Sequence, residues 1–171
     1  MDIAIESSPD LITRLGYLCL GSRLKRLGER MQSGVAQLLL ARGHDVQPAQ
    51  LTMLWALEEA GPLTIGALSE RIGVSQPGVS RAIAALEAEG LVGRATAGRD
   101  KRQRCYALTD TAQVLMADLA EGFFPAVDTA VAQLCAAEET DLLKHLGAIE
   151  DGLAAEPLEA RIIRAEQARN G

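Results

Sequence analysis

Leu63-Thr64-Ile65-Gly66-Ala67-Leu68-Ser69-Glu70-Arg71-Ile72-Gly73-Val74-Ser75-Gln76-Pro77-Gly78-Val79-Ser80-Arg81-Ala82-Ile83 is the stretch that decides the fold. Leu63-Thr64 predicts a short extended piece, and Thr64 is placed to cap a helix running through Ile72. Leu68 and Ile72 face inward, Ser69 is small where two helices cross, and Gly73 supplies a sharp turn. Ser75 is placed to cap a second helix, in which Val79, Ile83 and Leu86 recur at spacings of 4 and 3 as a buried stripe. With that stripe inside, Gln76, Pro77, Ser80 and Arg81 point outward near the helix start. Arg81 can donate two hydrogen bonds to guanine O6 and N7, Gln76 can pair bidentately with adenine, and Ser80 can bond a phosphate or a base edge. The free N–H groups at a helix start favour a phosphate. Ala84 and Ala85 keep the exposed side slim enough to enter a major groove. Ser75, Gln76, Pro77, Ser80 and Arg81 are therefore the candidate DNA contacts of this helix.

Working outward, Gly90 ends the second helix. Leu91 to Ala95 and Arg104 to Leu108 alternate well enough for two strands. The loop between them has no apolar anchor except alanine. Arg94, Arg99, Lys101, Arg102 and Arg104 lie within eleven residues against a single acid, Asp100. On a hairpin tip, an arginine can enter the narrow, electronegative minor groove. These five basic residues join the candidate DNA contacts. The net charge of −6 looks unfavourable for such a role, but its distribution matters more. Residues 1–70 carry −2, residues 71–106 carry +4 and residues 107–171 carry −8. Within a Debye length of about 8–10 Å, a phosphate senses the local patch and little of the remote tail.

The stretch resembles the MarR family of winged helix-turn-helix regulators. The resembling residues are Leu68 to Arg81, then Leu86-Glu87-Ala88-Glu89-Gly90-Leu91-Val92, Arg99-Asp100-Lys101-Arg102 and Leu108-Thr109. The family's Asp-x-Arg wing signature is matched by Asp100 and Arg102. Ala112 departs from the pattern, standing where the family usually has glycine after Leu-Thr-x-x. The resemblance is firm over residues 47–115 and rests on layout alone over the flanking helices. It implies a homodimer whose terminal helices interlock, with two lobes set on a pseudo-palindromic operator. It also implies that Arg102 inserts in the minor groove while Asp100 holds the wing by pairing with an arginine.

The expected fold class is mainly α: a winged helix-turn-helix lobe with a small β-hairpin wing, plus a dimerisation region of N- and C-terminal helices. Residues 1–9 read as a flexible leader, 10–45 as the N-terminal dimerisation helix, 46–109 as the DNA-binding lobe and 110–171 as C-terminal dimerisation helices. In the first of these helices, Leu24, Leu27, Met31, Gly34 and Leu38 continue a stripe begun by Leu11, Leu15 and Leu18. Gly16, Gly21, Gly28 and Gly34 interrupt it, each costing about 1 kcal/mol against alanine. They read as a kink or as points of close helix approach. Gln47-Pro48 opens the next helix, Leu51, Leu54 and Leu57 line its buried side, and Gly61-Pro62 stops it. Thr109 caps a helix that Pro125 should end or kink. A further helix is expected near Cys135, where Cys-Ala-Ala-Glu occupies the places of a capping box, and an amphipathic tail follows Pro157. Leucine stripes this long cannot be covered by a lobe of about 70 residues, which independently calls for a partner.

Apolar residues make up 48% and aromatics 3%, so the core must be built from Leu, Ala, Val and Ile. No run of about 18 apolar residues is present, so no membrane span is expected, and Met1 to Glu6 does not read as a secretory signal. A cytoplasmic location follows by default. Cys19, Cys105 and Cys135 are widely spaced, which argues against disulfides and structural zinc. No catalytic set or phosphate loop stands out, so neither an enzyme nor a cofactor is expected.

Relatives of this kind sense small aromatic acids between the dimer helices and the lobe. Arg14, Tyr17, His44 and Trp55 are the candidates for such a crevice, although Tyr17 and Trp55 also suit a core and His44 a solvated turn. Another branch senses hydroperoxides through a cysteine in the first helix. Cys19 lies there, but Tyr17, two residues away, projects in a different direction, which favours a small buried hydrophobe. The expected function is thus a sequence-specific regulator of double-stranded DNA. Its alternatives are a winged-helix protein-interaction module without DNA binding and a cysteine-based redox-sensing repressor.

Overall fold

The computed structural model describes residues 10–95, 104–136 and 141–170. The chain divides into two compact units, residues 1–123 and 124–171. The first is mainly helical around a small sheet. Helix α1 (Leu11–Arg14) is followed by a 3-10 turn (Gly16–Cys19), α2 (Leu20–Ala41), α3 (Pro48–Ala60), strand β1 (Leu63–Thr64), α4 (Ile65–Ile72), α5 (Gln76–Ala88), β2 (Val92–Ala95), β3 (Cys105–Leu108) and α6 (Asp110–Cys135). Helix α6 passes from the first unit into the second, which continues with α7 (Leu142–Ala155) and α8 (Leu158–Asn170).

The single N-terminal helix expected from Asp10 onward is broken. Gly16 adopts φ +55°, which L side chains rarely accept, and the chain restarts as α2. Asp10 caps α1 by accepting from the Thr13 amide at 3.2 Å and also accepts from Arg26 Nη1 at 2.9 Å. That Arg26 bond, first among its contacts, holds the Asp10 carboxyl far below the usual carboxylate range. The glycines at 21, 28 and 34 stay helical, and a methyl group added at any of them would meet open space. Close helix approach at these three is therefore not seen among the described residues.

The caps of the lobe are local and follow the sequence. Gln47 and Gln50 form a reciprocal capping box at the start of α3. Thr64 caps α4 through the Ala67 amide at 3.1 Å, and Gly73 closes it at φ +73°. Strand β3 is central in the antiparallel order β1-β3-β2, with Leu63 opposite Tyr106 and Ala95 opposite Cys105. Thr109 Oγ1 donates to the Gly90 carbonyl at 2.8 Å and accepts from the Ala112 amide at 3.2 Å. One hydroxyl thus ties the end of α5 to the start of α6, and Ala112, fully buried, fits that helix start. Leu39, Leu54, Leu68, Val79, Ile83, Leu86, Met116 and Leu119 are the most completely buried side chains. Helices α2 to α6 therefore share one core.

In the second unit, two boundaries differ from expectation. Pro125 does not end α6, which continues to Cys135. Proline removes one N–H and crowds the carbonyl of residue 121, yet the helix runs on through it, with Phe123 buried just before. Cys135 therefore ends a helix rather than opening one. The next helix is capped by Asp141, which accepts from the Lys144 amide at 3.1 Å. A carboxylate is the stronger acceptor at a helix start, so it wins over the thiol. Arg161 donates to the carbonyls of Gly152 and Glu156 at 2.7 and 3.0 Å, and Arg164 pairs with Glu156 at 2.8 Å, fixing the corner between α7 and α8. Among the described residues, no helix is long and apolar enough to cross a membrane.

Candidate nucleic-acid interface

The surface is built on α5. Val79, Ile83 and Leu86 are buried, and this fixes the helix roll. Gln76, Pro77, Ser80, Arg81 and Ala84 are exposed as a consequence. Arg81 makes no hydrogen bond or ion pair among the described residues, so its guanidinium is free to contact a base edge. Ser75 holds the cap position, but its side chain makes no capping bond. Its backbone carbonyl instead accepts from the Val79 amide at 3.0 Å. The expected Ser75 cap is thus not formed, and α5 starts without side-chain capping. A helix start in that state offers N–H donors and positive dipole charge to a phosphate.

The turn before α5 is held from α4. Ser69 Oγ donates to the Val74 carbonyl at 2.6 Å, giving the small residue at the crossing a bonding role as well. A Cβ placed on Gly78 would lie 3.0 Å from Val74 Cγ1 and 3.4 Å from Ser75 Oγ, so the turn packs tightly onto the first turn of α5. Arg71 Nη2 donates to Glu59 Oε2 at 2.7 Å, tying α4 to α3. Gln76 Nε2 lies 3.9 Å from the Cβ position of Gly66, so the starts of α4 and α5 share one rim.

The wing is seen only at its base. Arg94 and Arg104 are exposed on or beside the two strands. Arg94 Nε lies 3.6 Å from Glu87 Oε1, so the hairpin is anchored electrostatically to α5. That pairing partly neutralises a residue expected to meet phosphate directly. Glu87 was not among the sequence candidates, since its contact is set by how the hairpin folds back and leaves no local pattern. Arg99, Asp100, Lys101 and Arg102 lie outside the described residues.

The four crevice candidates do not converge. Arg14 and Tyr17 are exposed near the N-terminus, Tyr17 at 95%. Trp55 is exposed on α3. His44 alone lines a groove, where its Nε2 lies 3.2 Å from Asp118 Oδ2. Cys19, just before α2, and Cys135, at the end of α6, are half-buried, while Cys105 is buried in β3. Among the described residues, no group of His, Cys, Asp or Glu could hold a metal ion.

Residues 44–103 match the model of the MarR family. The fold is similar to that of a MarR family transcriptional regulator from Silicibacter pomeroyi, with 24% identity, TM-score 0.58, and coverage of 92% of this chain and 99% of that one. It is also similar to the transcriptional regulator BldR from Sulfolobus solfataricus, with 18% identity, TM-score 0.60, and coverage of 86% and 99%. A third similar structure is the S. aureus MepR–DNA complex, with 21% identity, TM-score 0.59, and coverage of 79% and 96%. No curated protein matches the chain. The winged-helix reading and the resemblance to the MarR family both hold.

Proposed function

We propose that this chain, whose lobe carries the MarR-family pattern, is a sequence-specific double-stranded DNA-binding transcriptional regulator of the cytoplasm. It acts as a ligand-responsive homodimeric repressor on a pseudo-palindromic operator. The observation that carries the reading is the outer face of α5, where Gln76, Ser80 and Arg81, unpaired among the described residues, project beside an uncapped helix start. Such a face can read base edges while its N–H groups hold the backbone. Arg94 and Arg104 extend the basic surface onto the hairpin. Arg99, Lys101 and Arg102 would continue it into the minor groove, with Asp100 positioning the wing.

The dimer reading draws on the apolar stripes of α2 and of the C-terminal helices. Leu24, Leu27, Met31 and Leu38 remain 38 to 53% exposed in one chain. Two-fold pairing through such faces would space two α5 helices about one turn of the duplex apart, 34–36 Å. The chemistry proposed is recognition rather than catalysis.

The test is a mobility shift with the DNA flanking the chain's own gene, repeated across a salt series. A saturable complex whose affinity falls steeply with salt is expected, because several phosphate contacts release counterions. A flat salt response, or no complex, would favour the protein-interaction reading.

A further inference from the structure

Helix α5 is held differently at its two ends. At its start no side chain caps it, and the preceding turn is bonded to α4 through Ser69. At its end three ties meet. Gly90 turns at φ +72°, and the Leu91 amide donates back to the Leu86 carbonyl at 2.9 Å. Thr109 holds the Gly90 carbonyl from the start of α6. The third tie comes from α3, where Gln50 Nε2 donates to Glu89 Oε1 at 3.0 Å and to Oε2 at 3.2 Å.

That third tie has an origin on both sides. Gln50 is buried, and a buried amide N–H is costly to leave unbonded. Its Oε1 accepts from the Gln47 amide at 2.6 Å, so the carboxamide cannot turn round without breaking the cap of α3. Nε2 is therefore aimed at the place where α5 ends. Glu89 is a carboxylate at that end, where the helix dipole disfavours negative charge. Local helix energetics favour a cation there, so the acid is accounted for by what it binds on α3 and not by α5 itself.

We infer that Gln50 and Glu89 are positioning residues for base readout: they set the angle at which α5 presents Arg81. The inference rests on the DNA-binding reading above. Arg81 stands eight residues before Glu89, about 12 Å along the helix axis. A tilt of about 10° at the Glu89 corner would carry Arg81 roughly 2 Å, well beyond the tolerance of about 0.5 Å for a working binding constellation. Attraction to phosphate survives such a shift, whereas a bidentate bond to a base edge does not. Loss of the tie should thus show in discrimination before it shows in affinity for DNA of any sequence.

The experiment measures binding of the full chain to an operator fragment and to random duplex of equal length, with amide hydrogen exchange of the free protein beside it. Gln50→Glu sets two carboxylates against each other. Adding Glu89→Gln reverses donor and acceptor, and the carboxylate at position 50 can still accept from the Gln47 amide. Gln50→Glu should lose about tenfold in operator preference, keep random-duplex affinity within about twofold, and exchange faster through α5, while the double variant recovers to within about threefold of wild type. Glu89 is exposed, so Glu89→Ala removes the acceptor without a substitution in the core, and about a fivefold loss of preference is expected of it. Wild-type preference in Glu89→Ala, equal losses on the two duplexes, or a double variant no better than Gln50→Glu overturns the inference. A wild type that forms no DNA complex sinks the regulator reading instead. Exchange in the free protein then decides alone: faster exchange through α5 that the double variant reverses upholds the tie, and unchanged exchange in Gln50→Glu overturns it.

Discussion

Residues 10–123 and 124–170 are built from similar Ala- and Leu-rich helices, yet only the first set closes a core. Every buried apolar side chain among the described residues lies at or before Phe123. After it, α7 and α8 have none, although Leu142, Ile149 and Leu153 fall on one face of α7 at 44, 43 and 46% exposure. The difference is one of partners rather than composition. In the lobe, α2 to α6 and the sheet all contribute buried side chains, Leu54, Leu68 and Leu86 among them. In the tail, the apolar stripes meet solvent, and a unit this small rarely stabilises itself. The lobe thus buries its own core, while the apolar faces left open on the terminal helices are the ones the proposed dimer would cover.

The largest effect expected from breaking this contrast is in the closed core. Leu54→Ala should lower the unfolding free energy by about 3 kcal/mol, measured by denaturant titration, and the loss should not depend on protein concentration. The open face should behave differently. Leu153→Asp should raise the dimer dissociation constant about 30-fold, roughly 2 kcal/mol, by sedimentation velocity, with the lobe still folded. If it unfolds the lobe instead, the two regions are not separable as described. A smaller effect sharpens the comparison within the lobe itself. Arg94 is already paired with Glu87, so Arg94→Ala should weaken DNA binding by less than about 1 kcal/mol in a mobility shift. A loss well beyond that would make Arg94 a primary contact.

The lobe was legible in the sequence because its signals are local. Thr64, Gly73, Gln47-Pro48 and Thr109 each act within a few residues, and each stands where the pattern placed it. Ser75 shows the limit: cap residue and cap position agreed, but the hydroxyl bond did not form. The pairs Glu87–Arg94 and Gln50–Glu89 were invisible because they depend on how distant elements meet. The tail was read less well for a related reason. Pro125 is a strong local break signal, yet α6 runs through it, and the weak thiol signal at Cys135 lost to the Asp141 cap. At Gly16 the opposite held, since a single positive φ outweighed a long leucine pattern.

The central claim is that α5 distinguishes sequence and does not merely attract phosphate. The most direct measurement compares wild type and Arg81→Ala on an operator fragment and on random duplex of equal length. The account predicts that the variant keeps its thermal midpoint and most of its random-duplex affinity while losing about tenfold or more in preference for the operator, in line with 1–3 kcal/mol for one bidentate base contact. An Arg81→Ala protein with wild-type preference would contradict it.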